Sequence, residues 1–292
     1  MGVEIMRSLH VQTSAGKLSV RISPGRRGAV LLVHGNSMCK EAFERQFDSP
    51  LAAVYRMIAV DLPGHGASER SARPRDGYSL GGLADALLDV LFALDASDAM
   101  VCGWSLGGHV ALEMMSRSPL LGGALLVGAP PVAPGPDALA AFKPDPALEL
   151  LGRERLGAQD AACLLGRLFP GGAPTFALEA LEQTDGRARR VFVESFLAGH
   201  GADPRPLLDQ DERPIGLLIG ELDPLVEPAF LAGVPAAGVW RNSPVVISGA
   251  GHAPFWEAPD AFNAALLAFL RDAARLQPST PSSPSAPARR SA

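Results

Sequence analysis

Val101-Cys102-Gly103-Trp104-Ser105-Leu106-Gly107-Gly108-His109 is the stretch from which the rest of the chain can be read. A short apolar run enters G-x-S-x-G, and the helix-forming run Val110-Ala111-Leu112-Glu113-Met114-Met115 leaves it. A serine on so tight a strand-to-helix turn has its hydroxyl pushed out from the backbone. Glycines two before and two after it let the chain turn sharply and the new helix pass close by. The helix N-terminus beneath Ser105 also offers unpaired N–H groups and positive potential where an oxyanion would develop. G-x-S-x-G alone is a weak signal, and a structural turn serine is the competing reading. The flanking strand and helix, with the extra glycine at Gly108, favour a nucleophile.

Working outward, the chain alternates apolar strands with helices. Residues Ser8 to Arg21, broken at Ser14-Ala15-Gly16, suggest a hairpin at the sheet edge. Ala29-Val30-Leu31-Leu32-Val33 is the kind of wholly apolar strand that helices cover on both faces. Further strands are expected at Tyr55–Val60, Val101–Trp104, Gly123–Gly128, Pro214–Gly220 and Val245–Ile247. Ser79 is placed to cap a helix through Leu80, Leu83, Leu87, Leu88 and Leu91, and a closing helix is expected from Glu257 to Leu270. The fold class is therefore α/β: a mostly parallel central sheet flanked by helices.

The strand–helix rhythm breaks at Ala129-Pro130-Pro131-Val132-Ala133-Pro134-Gly135-Pro136, after the sixth strand. From there to about Gln210 only short helical pieces are expected, carrying Phe142, Leu164, Phe169, Phe176, Phe192 and Phe196. This reads as a helical cap laid over a site, forming the acyl or leaving-group pocket and excluding water. The alternative is a plain helical excursion without substrate contact. The expected organisation is a core of residues 1–130 and 211–276, a cap of 131–210, and a Pro/Ser-rich tail of 277–292 too polar to order itself.

Composition bounds the function. The 292 residues, 47% of them hydrophobic, suit one large α/β domain with an insertion better than two independent domains. A net charge of −5 with scattered Lys and Arg leaves no basic stripe, which argues against a nucleic-acid partner. Cys39, Cys102 and Cys163 have no metal-ligand or disulfide-framework spacing, and Cys102 reads as a small core residue. No H-x-H-x-D-H-like run exists to bind zinc, and no metal or cofactor is expected. Glu4 and Arg7 without a long apolar stretch argue against a signal peptide. No segment has the length of a membrane span, so the expected compartment is the cytoplasm.

Loops at the C-terminal ends of the strands supply the partners of Ser105. His34-Gly35-Asn36-Ser37 follows the third strand, and the backbone N–H of Asn36 can join that of Leu106 in a two-donor oxyanion hole. The Asn36 side chain is also a candidate substrate contact, and His34 reads as structural. Asp61 and His65 are four apart in one tight loop, Asp61-Leu62-Pro63-Gly64-His65-Gly66, and both read as structural. Asp223, just past the seventh strand and before a proline, is the candidate triad acid, with Glu221 and Glu227 as rivals. His252 in Gly249-Ala250-Gly251-His252-Ala253-Pro254-Phe255 follows the last strand and is the candidate base. His10, His109 and His200 lack such a setting, and His109 is expected to face packing partners. The chain order Ser, Asp, His is that of the α/β-hydrolase triad.

These landmarks, in this order over residues 8 to 274, resemble the α/β-hydrolase fold. More narrowly, His34-Gly35-Asn36-Ser37, Asp61 to Gly66, Gly103 to His109, Thr184-Asp185-Gly186-Arg187-Ala188-Arg189-Arg190 and Gly251 to Phe255 resemble the metal-independent N-acyl-homoserine lactonases of that fold. The resemblance implies Ser105 as nucleophile, His252 as base, and Asn36 and Leu106 as oxyanion donors, acting on a small-molecule ester or lactone. The likeness in the cap weighs most, since caps set substrate class. Asp223 stands where such lactonases carry glutamate before a proline. Ala161-Ala162-Cys163 departs from them in offering no aromatic hydroxyl to the amide-linked head group. A general carboxylesterase and a C–C bond hydrolase share the triad and stay open. A haloalkane dehalogenase is disfavoured because position 105 is not a carboxylate, and a non-catalytic binding protein because all three triad residues are retained.

Overall fold

The apolar runs at Ala29–Val33, Met100–Trp104 and Gly123–Val127 are almost wholly buried, as strands of a sheet covered on both faces must be. A computed structural model of the protein describes residues 6–276, and eight strands form its sheet. They are β1 (Arg7–Thr13), β2 (Gly16–Ile22), β3 (Ala29–Val33), β4 (Arg56–Val60), β5 (Met100–Trp104), β6 (Gly123–Val127), β7 (Ile215–Gly220) and β8 (Val245–Ile247). Their spatial order is β1-β2-β4-β3-β5-β6-β7-β8. β2 pairs antiparallel with β1 and β4, and all the other pairs are parallel. The register sets Val33 beside Gly103, Trp104 beside Val127, and Val127 beside Leu218. The loops leaving β3, β5, β6 and β7 therefore emerge side by side at one end of the sheet.

The period-2 alternation within each strand sorts the core into two layers. Leu31, Val33, Val101 and Leu126 pack under helices α1 (Leu80–Ala93) and α2 (Leu106–Arg117) through Leu87, Val90, Val110 and Met114. Val30, Leu32, Cys102 and Leu125 face the other way, onto Phe43, Phe262, Leu266 and Phe269. Each such side chain taken out of water contributes roughly 1.5–3 kcal/mol. The Ser79 hydroxyl caps α1 as its position suggests, accepting from the Gly82 N–H at 3.1 Å.

Between β6 and β7 lies a helical insertion. Its main pieces are α3 (Ala158–Leu168), α4 (Thr175–Gln183) and α5 (Gly186–Leu197), preceded by a 3-10 turn at Pro136–Ala141 and followed by a helix at Arg205–Gln210. The insertion shares its apolar side chains with both layers of the core. Ala138, Ala141, Phe192 and Phe196 join the α1/α2 side, while Leu164, Leu168 and Phe169 join the opposite one.

The closing helix differs from expectation. It is α6 (Pro259–Leu276), set off from a separate turn at Pro254–Glu257. Ala258 takes φ −135°, ψ 62°, out of the helical region, because the ring of a following proline crowds that conformation. Pro259 then starts the helix, where its missing N–H leaves no bond unmade. Among the described residues no helix is long and apolar enough to cross a membrane. The tail expected at 277–292 lies outside the described residues.

Candidate active site

Ser105 follows the last residue of β5 and precedes α2. Its N–H still donates to the Val127 carbonyl at 2.8 Å, extending the sheet ladder by one bond. The backbone then takes φ 52°, ψ −117°, a region side chains avoid. The sharp turn explains the surrounding glycines. A Cβ on Gly103 would run into the Gly107 carbonyl, one on Gly107 into the Val33 carbonyl, and one on Gly108 into the Ala129 side chain.

His252 and Asp223 are brought together from two different loops. His252 Nδ1 lies 2.8 Å from Asp223 Oδ2, with the side chains 1% and 2% exposed. The other Asp223 oxygen accepts from the Leu225 and Val226 N–H groups at 2.8 and 3.1 Å. Burial pushes this carboxyl up, but the His252 ring and those N–H groups outweigh it and hold the group below its ordinary value. A carboxylate oriented in this way requires the proton on Nδ1, which leaves Nε2 as the lone-pair nitrogen. Nε2 is buried and has no hydrogen-bond partner among the described residues.

The rival carboxylates are engaged elsewhere. Glu221 is exposed and accepts from the Ser248 hydroxyl at 2.7 Å and the Gly249 N–H at 2.8 Å, bracing the loop before His252. Glu227 caps the short helix Pro228–Ala232, accepting from the Ala229 N–H.

Asn36 and Leu106 line the same cavity as Ser105. Among the described residues neither backbone N–H donates to a protein acceptor. The Asn36 side chain does something the sequence did not suggest. Its Nδ2 donates to the Leu151 carbonyl at 3.1 Å and its Oδ1 accepts from the Ser37 hydroxyl at 2.7 Å, so it ties the loop to the insertion. Ser37 itself has φ 63°.

The cavity measures about 770 Å³ and is walled mainly by the insertion, with Phe142, Leu148, Phe192, Val193 and Phe196 among its apolar lining. Its polar members include Lys143, which reaches the Asp223 main-chain carbonyl with Nζ at 2.6 Å. His109 also lines this cavity while packing 5.1 Å from the Phe196 ring and 6.3 Å from that of Phe142. It therefore meets packing partners, as expected, and a ligand-sized space as well.

The remaining landmarks serve the scaffold. His34 Nε2 accepts from the Leu62 N–H at 3.0 Å, so its Nδ1–H donates to the Gly35 carbonyl at 2.8 Å. Asp61 does not pair with His65. Its oxygens take the Lys40 N–H and ammonium, both at 2.7 Å, and the Ala67 N–H. Ligand atoms of Cys39, Glu41 and Asp61 lie within 4.8 Å of one another, but the Lys40 ammonium, 3.2 Å from Glu41, already supplies the positive charge there. Burial also pushes the Cys39 thiol up, away from the thiolate that a metal needs.

The two cap features weighed from sequence both lie off this cavity. Asp185 accepts from the Tyr78 hydroxyl at 2.7 Å and from Arg187, and its N–H donates to the Gly64 carbonyl at 2.8 Å. Arg189 is buried, and its guanidinium reaches the carbonyls of Arg153 and Glu154 and, at 3.3 Å, the Ser37 hydroxyl. The Thr184–Arg190 stretch is thus an anchor between insertion and core. Ala161 and Ala162, with Arg189, line a separate hollow. The contacts of Lys143 and Arg189 have no local sequence signal beyond the Thr184–Arg190 stretch already singled out and the place of Arg189 on the buried face of α5, beside Ala188, Val191 and Phe192.

The sheet order, the serine turn and the buried His252–Asp223 pair define a serine-hydrolase-type α/β-hydrolase fold. The chain belongs to the alpha/beta hydrolase family, whose model matches residues 30–265. It closely resembles the N-acyl homoserine lactonase AidH, solved with N-butanoyl homoserine, at 36% identity and a TM-score of 0.89 over 94% of this chain and all of that one. A mutant of that lactonase with N-hexanoyl homoserine superposes with a TM-score of 0.90 over the same share of this chain. Among curated proteins, the pimeloyl-[acyl-carrier protein] methyl ester esterase of Aromatoleum aromaticum is 33% identical over 80% of this chain and 94% of its own length.

Proposed function

We propose that the protein hydrolyses the lactone ring of N-acyl homoserine lactones, with residues 131–210 as cap over a core of 1–130 and 211–276. His252 Nε2 takes the proton from Ser105, whose Oγ attacks the ring carbonyl. The N–H groups of Asn36 and Leu106 hold the oxyanion, and Asp223 fixes the imidazole tautomer. His252 then protonates the ring oxygen, which leaves as the hydroxyl of an acyl-enzyme. Water, deprotonated by His252, releases Ser105 and the ring-opened acid. One water is consumed, and no cofactor enters the balance.

The observation that carries this reading is the 36% identity to a lactonase along 94% of the chain, insertion included. The apolar cavity beside Ser105 supports it, because an acyl chain needs such a wall. Hydrolysis of an open-chain methyl ester is the second reading, favoured by the 33% identical esterase.

The test is acid release from short- and long-chain N-acyl homoserine lactones beside a simple aryl acetate, with Ser105→Ala as control. Lactone turnover that is lost in Ser105→Ala is the expected result. Ester turnover without lactone turnover would keep the triad and discard the lactonase. Full turnover in Ser105→Ala would remove the nucleophile.

A further inference from the structure

The mechanism above leaves one buried polar side chain in the cavity unused. His109 is 7% exposed, lines the cavity with Ser105, and makes ring contacts to Phe142 and Phe196. Among the described residues no group hydrogen-bonds to its ring nitrogens. Glu113, one turn further along α2, is taken by Arg117 at 2.7 Å and by the Ala202 N–H at 2.7 Å. Burial lowers the His109 value to about 4, so at neutral pH the ring carries one N–H and one lone pair. Neither ring nitrogen is among the fully buried unpaired atoms, so both open onto space that water or a ligand can enter, and a ligand that displaces that water has to meet them.

We propose that His109 is a specificity-determining residue whose imidazole hydrogen-bonds an oxygen substituent on the acyl chain, so that the cavity prefers chains oxygenated at the third carbon over plain aliphatic ones. This rests on the lactonase reading. Ser105 is the residue before α2 and His109 the fourth residue in it; the His109 N–H donates to the Ser105 carbonyl at 3.4 Å, so their main chains lie about one turn, on the order of 6 Å, apart. From the attacked ring carbonyl to the third carbon of the acyl chain is five bonds, on the order of 6 Å in extended form. A group at His109 therefore meets the chain at that carbon while the ring sits on Ser105. The neutral ring donates to a 3-oxo group and either donates to or accepts from a 3-hydroxyl group. An unsubstituted chain that displaces the cavity water leaves the ring nitrogens without a partner, and a site that meets a polar group discriminates against the analogue lacking it.

The experiment compares kcat/KM for N-(3-oxohexanoyl) and N-hexanoyl homoserine lactone in the native protein, His109→Phe and His109→Gln. The ratio of the two substrates is internal to each variant, so a change in folding or enzyme concentration cancels. The native protein should favour the 3-oxo substrate, and His109→Phe should lower that ratio by roughly three- to tenfold, the scale of one neutral hydrogen bond. His109→Gln, which restores a donor, should recover part of it. Turnover of both lactones with the same ratio in all three proteins would overturn the role of His109 alone. Absence of turnover on either lactone by the native protein would overturn the lactonase reading and this inference with it.

Discussion

The Trp104 indole N–H donates to the main-chain carbonyl of His252 at 2.8 Å, and both residues are buried. The side chain just before the serine on β5 thereby holds the loop that carries His252, the proposed base. Its ring also packs on Phe169 and Phe255. Trp104→Phe keeps most of that bulk but leaves the His252 carbonyl unsatisfied. It should cost about 1–3 kcal/mol of stability and lower kcat more than it changes KM. Urea unfolding and steady-state kinetics check this, and an unchanged kcat would show that the loop holds its place without the bond.

Ser105 holds a backbone conformation that suits glycine better than serine. Such strain is on the order of 1–3 kcal/mol. Ser105→Gly should therefore remove turnover yet raise stability by about 1 kcal/mol, after the extra chain entropy of glycine is offset. A variant less stable than the native protein in urea would show that the turn is unstrained.

The proposed triad acid, Asp223, can be separated from its neighbours by substitution. Asp223→Asn should reduce kcat by about 10³–10⁴-fold with the fold intact, since an amide no longer enforces the Nδ1–H tautomer. Glu221→Gln and Glu227→Gln should stay near the native kcat, because their partners are Ser248 with Gly249, and Ala229. A large loss in either of those variants, with none in Asp223→Asn, would reassign the acid.

The same carboxyl makes stability depend on pH. The native state holds Asp223 below its unfolded value near 3.8, so folding releases this proton. Its contribution is complete above that value and is lost as pH falls through the lower native one. The stability gap between the native protein and Asp223→Asn should be flat near neutrality and shrink below about pH 4. Unfolding measured from pH 3 to 7 decides this, and a gap that widens in acid would contradict it.

Arg189 links the insertion to the loop that carries Asn36, through the Ser37 hydroxyl. Arg189→Met should lower stability by about 2–3 kcal/mol and lower kcat as well. Tyr78→Phe removes another insertion–core bond, to Asp185, without touching Asn36. It should cost stability while sparing kcat. Equal effects of the two variants on kcat would mean that Arg189 acts only as a general fastener.

Much of the fold was legible because apolar runs and glycine spacing are local signals. The strands Ala29–Val33 and Val245–Ile247 appear with the bounds read from sequence, and the Ser79 cap is where its hydroxyl suggests. The closing helix is present but starts at Pro259 and not at Glu257, because periodicity runs straight through Pro259 whereas the proline resets the backbone before it. His109 was half legible. Its apolar neighbours on α2 suggested packing, and nothing local tells that the packing leaves a cavity.

By itself, the sequence determined the strand–turn–helix around Ser105, the glycines that allow it, and the order Ser, Asp, His along the chain. Those depend on sterics between near neighbours and on where strands must end. Only the tertiary structure decided which carboxylate meets His252, that Lys143 and Trp104 brace its surroundings, and that the Thr184–Arg190 stretch anchors the insertion away from the cavity. Each of those pairings joins residues 29 to 148 positions apart or depends on the docking of the insertion. Closing such loops is governed by the packing of the whole core, and no local pattern in the chain records it.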